Sequence, residues 1–269
     1  MLEIGIATCS DRGRRAANED SLRVGGAGNT KYAVLSDGAG GHARGAEASR
    51  RVVEHVEAAL LAAASSFAPE PLTQALLSAH AEVQTAQQGA QGKQRMHATV
   101  VVLWLDCARD HVIWSHIGDS RLYRLRYGAV DLVTADDSVV QRMLEGGVLT
   151  PQQAQDHPMK NRLLAAIGMQ DGVEPHTLEH AVALEDGDVF LLCTDGWWGL
   201  LSDADLTSTL YDAHTPQAWL DAMHALITER CQPGQDNFSA IAVWVSDPSE
   251  STQSMAEAED TVIDPLAAR

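Results

Sequence analysis

The sequence predicts an α+β layered domain with mostly antiparallel sheet, and two features carry that expectation. Strand-like segments follow one another directly between residues 97 and 134. Helical patterns come in pairs, at 43–64 with 71–88 and after 202 with 216–231. Grouped strands and grouped helices stack as layers around a core, whereas strict strand–helix alternation would signal a parallel sheet.

Taken in order, Leu2, Ile4, Ile6 and Thr8 alternate in a strand over 2–10, and 32–36 reads as a second strand. Ala48, Val52, Val56, Leu60 and Ala63 then recur at the helical period, as do Leu72, Leu76, Ala79 and Val83; each set makes one apolar helix face. The period switches to two at 97, giving strands over 97–106, 111–117, 121–126 and 130–134 joined by tight turns, a meander. Residues 137–168 read as irregular and helical, broken at Gly146-Gly147 and Pro151. Strands return at 176–182 and 189–194, and Ser202-Asp203-Ala204-Asp205 resembles a capping box opening a helix. A helix over 216–231 and a strand over 239–245 follow. Residues 1–246 therefore form one domain, and the polar, acidic stretch 247–269 is expected to be a disordered tail.

With 269 residues the chain has ample length for a real core. Its 19 basic against 37 acidic residues leave a net charge of -18, which argues against nucleic acid as a partner because binders of the phosphate backbone carry a basic face. The first 15 residues lack a secretory pattern and no apolar run approaches the ~20 residues of a membrane span. A cytoplasmic, membrane-free protein is expected, and its four well-separated cysteines read as reduced thiols.

Function enters through four short acidic clusters at the ends of predicted strands. They are Asn18-Glu19-Asp20, Ser36-Asp37-Gly38, Cys193-Thr194-Asp195-Gly196 and Gln235-Asp236-Asn237. Carboxylates converging at one sheet edge repel each other unless cations lie between them, so they predict a hard-metal site with oxygen ligands. Asp37 suits a bridging position, because Gly38 lets the backbone approach and could lend its carbonyl. Asp20, Asp195 and Asp236 would be terminal ligands. Divalent ions held this way make a nucleophile of water and neutralise a phosphoryl group. Arg15 could fork onto phosphate oxygens, and His42, on a glycine-rich loop, could protonate a leaving alkoxide.

Blander readings compete at each position. Asp-Gly pairs are common turns; Asp236 could form an Asx-turn, Arg15 sits in a basic turn with Arg12 and Arg14, and His42 could serve a surface loop. Cys9 and Arg15 have the nominal spacing of a cysteine-dependent phosphatase loop, but no helix pattern follows to cradle the anion. His176 and His180 sit in an extended segment, which spoils their four-residue spacing for metal binding. Trp104, Trp114 and Trp244 read as core or sheet-face residues.

Order resolves the ambiguity. The run Arg15 to Asp20 followed by Leu35 to His42 resembles the opening motifs of the metal-dependent serine/threonine protein phosphatases, the PPM or phosphatase 2C-like family. The resemblance continues in Ile117-Gly118-Asp119-Ser120-Arg121, Cys193-Thr194-Asp195-Gly196-Trp197 and Gln235-Asp236-Asn237-Phe238, spanning about residues 8 to 245 in the family's order. Asp37-Gly38-Ala39-Gly40-Gly41-His42 is similar to the compact bacterial branch.

The resemblance implies a central sandwich of two antiparallel sheets flanked by helix pairs, a four-layer fold. It implies two Mn2+ or Mg2+ ions, a metal-activated water and no phosphoenzyme. Asp37, Gly38, Asp20, Asp195 and Asp236 would hold the two ions, Asp119 matches a residue that helps hold a third, and Glu19 and Asn237 stand behind these ligands. The segment 139–168 resembles a mobile flap. The substrates implied are phosphoserine and phosphothreonine proteins, the counterpart a serine/threonine kinase, and the default state a monomer. Two positions depart from the pattern. His97-Ala98-Thr99 stands where Gly-Thr-Thr is usual, and Asp136-Asp137-Ser138 stands where Asp-His-Ser is common. Two rival functions remain at this level: a pseudophosphatase that binds phosphoproteins without turnover, and a metal phosphoesterase acting on small metabolites.

Overall fold

The computed structural model describes residues 2–39, 43–155, 157–170 and 172–248. The chain begins with β1 (Glu3–Asp11), β2 (Asp20–Ala27) and β3 (Thr30–Ala39), then the helices α1 (Ala43–Ala62) and α2 (Pro69–Ala86). A 3-10 turn leads into β4 (His97–Ala98), β5 (Val100–Asp106), β6 (His111–Ile117), β7 (Arg121–Arg126) and β8 (Ala129–Leu132). The short helices α3 (Val139–Glu145) and α4 (Pro151–Gln155) precede two strand fragments, β9 (His176–Thr177) and β10 (Val182–Ala183). The last elements are β11 (Val189–Cys193), α5 (Asp195–Trp198), α6 (Asp203–Tyr211), α7 (Pro216–Arg230) and β12 (Phe238–Ser246).

Two antiparallel sheets face each other. One runs β1-β12-β11-β7-β8; the other runs β10-β6-β5-β3-β2, with β4 added to β3 and β9 to β6. Alternate residues of the central strands point to different layers. Val101, Leu103 and Leu105 of β5 meet Phe190, Leu192, Ile241 and Val243 between the sheets. Val100, Val102 and Trp104 turn the other way, onto Val52, Val56, Leu72 and Leu76 of α1 and α2. Leu191, Cys193 and Ala242 likewise meet Trp219, Met223 and Ile227 of α7. Strands buried on both faces read as continuous apolar runs. The result is helix pair, sheet, sheet, helix pair, the four layers expected.

The capping box at Ser202 forms as expected, with Asp205 N–H on the serine hydroxyl and Ser202 N–H on the Asp205 carboxylate. All four cysteines are free thiols. Among the described residues no helix is long and apolar enough to cross a membrane. The expected tail at 247–269 lies outside the described residues from 249 onward.

Three expectations need correction. Strand β2 was absent from the sequence reading, because Gly25 and Gly26 erase its pattern; a Cβ at Gly25 would lie 2.4 Å from the Tyr32 hydroxyl, so the glycine makes room for an aromatic neighbour. The extended stretch 176–182 is two separate two-residue strands. The four-strand meander is divided: β5 and β6 belong to one sheet, β7 and β8 to the other, and the chain crosses at Gly118-Asp119-Ser120. Gly118, at φ +101° and with no space for a Cβ against Thr99, permits that crossing.

Candidate metal centre

Antiparallel register places Asp20 of β2 directly opposite Asp37 of β3. Like charges in that relation destabilise a sheet, so the pairing has to be explained by something other than stability. Asp195 enters from the end of β11, at the first residue of the single turn α5. Asp236 comes from the loop before β12, and Asp119 from the turn that crosses between the sheets. Five sequence-distant aspartates thus meet at one end of the sandwich.

Glycines make the approach possible. A Cβ at Gly196 would lie 2.0 Å from the Asn237 carbonyl oxygen, and one at Gly38 would lie 2.1 Å from that of Gly45. Side chains fix the rest. Asn237, buried, accepts from Glu19 N–H at 2.8 Å and donates to the carbonyls of Arg12 and Ala17, both at 2.9 Å. It ties the loop bearing Asp20 to the loop bearing Asp236. Thr194 donates its hydroxyl to Asp20 Oδ2 at 3.1 Å. Asp236 accepts from the adjacent Asn237 N–H at 2.9 Å, one residue short of the Asx-turn expected, while Arg15 Nη2 reaches its other oxygen at 2.7 Å.

The carboxylates keep part of their surface open to the cleft yet are deeply embedded in protein atoms. Burial first, and then their mutual repulsion, pushes Asp20 up to about 7 and Asp195 up to about 6. The same causes in the same order hold Asp37 and Asp119 well above the usual carboxylate range. Asp20 Oδ1 and Asp195 Oδ1 are buried with no hydrogen-bond partner. As they stand, no three His, Cys, Asp or Glu side chains among the described residues are splayed around a common point as ligands. The donor set is nonetheless that of a hard divalent cation: anionic oxygens, buried, orphaned and short of positive charge.

A family model described as protein phosphatase 2C matches residues 10–232. The chain belongs to the protein phosphatase 2C family. It is 33% identical over 254 residues to the serine/threonine protein phosphatase PstP of Mycobacterium tuberculosis, an alignment covering 91% of this chain and 46% of that protein. The chain thus spans about half the length of that relative. It is 28% identical over 243 residues to the serine/threonine phosphatase stp of Listeria innocua, covering 87% of this chain and 93% of that one. Among solved structures, the catalytic domain of PstP in complex with two manganese ions superposes with a TM-score of 0.75 at 28% identity, covering 92% of this chain and 100% of that one.

Within this phosphatase 2C chain the predicted residues fall as follows. Asp20, Asp37, Asp119, Asp195 and Asp236 are brought together, with Arg15 beside Asp236. Glu19 contributes its main chain, accepting from Gly38 N–H at 3.2 Å, and its carboxylate lies over Gly45 at the start of α1. His42 lies outside the described residues. Sequence reasoning missed several supports. Thr99, noted only as part of a departure, accepts Asp37 N–H at 3.0 Å and shares a 2.6 Å hydrogen bond with Ser120. Trp198 donates its indole N–H to the Asp119 carbonyl at 3.0 Å. Arg121 lies 3.6 Å above the Trp198 ring and grips both oxygens of Asp136 at 2.9 and 2.8 Å. A polar residue interrupting a buried strand, as Thr99 does, was the one available signal.

Proposed function

We propose that this protein phosphatase 2C chain hydrolyses phosphoserine and phosphothreonine on proteins with the help of two divalent ions, Mn2+ or Mg2+. The observation that carries the reading is the convergence of five aspartates at one end of the sandwich, two with buried oxygens lacking any partner. Asp20, Asp37, Asp195, Asp236 and the carbonyl of Gly38 are the ligands proposed, with Asp119 serving a third ion. The ions would supply Lewis acidity, lowering the pKa of water and offsetting charge on the phosphoryl oxygens. Arg15, already poised at the site's edge, would orient the phosphoryl oxygens through its guanidinium fork. His42 is proposed, on its motif alone, as donor of the proton that the departing hydroxyl needs.

On this reading the substrates are phosphorylated proteins, the counterpart is a serine/threonine kinase, and the protein acts as a cytoplasmic monomer. Phosphate release from a phosphothreonine peptide in Mn2+ tests it. Turnover should vanish in excess EDTA and fall by about 10^3-fold or more in Asp37→Asn, which removes one charge and little volume. Undiminished release in EDTA would overturn the proposal. Tight peptide binding without any release would instead make the protein a binding module.

A further inference from the structure

Asp137 stands in the middle of Asp136-Asp137-Ser138, where the family pattern commonly has histidine. Its carboxylate is used on both sides: Oδ2 accepts the main-chain N–H of Gly118 at 2.9 Å, and Oδ1 meets His176 Nε2 at 2.9 Å. Its main chain closes two further bonds, donating to the Gly118 carbonyl at 3.0 Å and accepting from Leu164 N–H at 2.7 Å. One residue therefore holds both polar groups of Gly118 and one end of the 139–168 segment.

Gly118 cannot yield on its other side. At φ +101° it lies so close to Thr99 that a Cβ would be 2.7 Å from the threonine methyl. Thr99 in turn holds Asp37 N–H. Asp119, the next residue, inherits a position clamped between Asp137 and Thr99.

His176 is itself seated. It lies across from His116 in the β6–β9 ladder, the two rings stacked at 4.8 Å and 25°. His116 Nε2 donates to the Ala135 carbonyl at 2.8 Å, leaving its buried Nδ1 without a partner. A bare buried nitrogen costs stability; here it accompanies a ring whose face supports His176. The neighbouring Thr177 hydroxyl bonds Ser115 and Thr73, both at 2.8 Å, fastening β9 to β6 and α2.

We infer that Asp137, steadied by His176, is the positioning residue of the Gly118-Asp119-Ser120 turn and sets where Asp119 stands beside Asp37 and Asp195. The consequence for ions rests on the ligand role proposed above for Asp119; the clamp on the turn does not.

Two measurements on the full chain test this: amide hydrogen exchange at residues 118–120, and calorimetric titration with Mn2+ alone. Asp137→Ala should speed exchange across the turn by about tenfold or more. It should also weaken the weakest Mn2+ binding step by about tenfold, the scale at which partners of ligands act. His176→Phe keeps a ring on His116 but removes Nε2; it should shift both readings in the same direction by less, and add nothing in the Asp137→Ala background. Unchanged exchange and unchanged Mn2+ binding in both variants would overturn the inference. Independent, additive effects would remove His176 from it. Should Asp137→Ala fail to fold, His176→Phe, at a half-exposed position, decides by the same two readings. Neither reading needs turnover, so a wild-type protein that released no phosphate would sink the hydrolytic proposal and leave this test intact.

Discussion

Strand β11 runs between two buried aspartates with opposite surroundings. Asp188, just before it, is 0% exposed, and Arg126 places Nε and Nη2 on its two oxygens at 2.5 and 2.6 Å. Glu185 N–H adds a third donor at 2.9 Å. Asp195, just after the strand, has one oxygen with no partner and four other aspartates for company. At one end a fixed guanidinium supplies the missing positive charge. At the other the one guanidinium at hand, that of Arg15, is bonded to Asp236, and Asp195 keeps an oxygen without a partner. Burial alone does not distinguish a structural carboxylate from a functional one; the charge placed against it does.

The sharpest way to break this contrast is to neutralise each end in turn. Asp195→Asn should cut phosphopeptide turnover by about 10^3-fold or more while raising the Tm of the ion-free protein, since it removes a repelled charge. A lowered Tm in EDTA would mean that Asp195 is a structural residue after all. Asp188→Asn should do the reverse, destabilising by about 3–5 kcal/mol through the stranded Arg126 charge and leaving kcat of the folded fraction near wild type. Urea denaturation separates the two.

Thr99→Val probes the support rather than the ligand. It keeps the volume but strips the hydroxyl from Asp37 N–H and Ser120, for a cost of about 1–3 kcal/mol in an unsatisfied buried donor. A denaturation midpoint equal to wild type would show that the hydroxyl is dispensable.

The smallest effect is a pH trend. Asp20 has its pKa raised by folding to about 7, so the folded state holds its proton more tightly than the unfolded chain does. The stability so gained is present at acid pH and is lost as pH rises from about 4 through about 7. His80, His97 and His116, held low by burial, act in the opposite sense, losing stability as pH falls below their ordinary range. A difference measurement cancels them. The Tm advantage of Asp20→Asn over wild type in EDTA should be larger at pH 7.5 than at pH 5.0. An advantage that shrinks with pH would contradict the raised pKa.

Much of the site was legible because its motifs are local. Asp37 and Asp195 each close an apolar run, Asp236 opens one, and their order along the chain with Asp20 pointed to one chemistry. The glycines beside them were legible for the same reason, since Gly38 and Gly196 follow their aspartates directly. What escaped was non-local. Asn237 joins loops 218 and 220 residues apart. Arg126 finds Asp188 across 62 residues. Neither partner leaves a mark on the sequence near the other. Strand β2 escaped because its glycines answer to Tyr32 on β3, and the meander was misread because strand period does not say which sheet a strand joins.

Hydrophobic period, turn chemistry and short acidic motifs determined from the chain alone that strands and helix pairs would layer, and which aspartates are the candidates for the chemistry. Those are properties of neighbouring residues, and neighbouring residues dictate backbone conformation and which side faces inward. Only the tertiary structure decided that the chain changes sheets at Gly118, that Asp188 would be neutralised, and that Asp195 would not. Those outcomes depend on which groups distant in sequence arrive at contact, and electrostatics acts across space rather than along the chain.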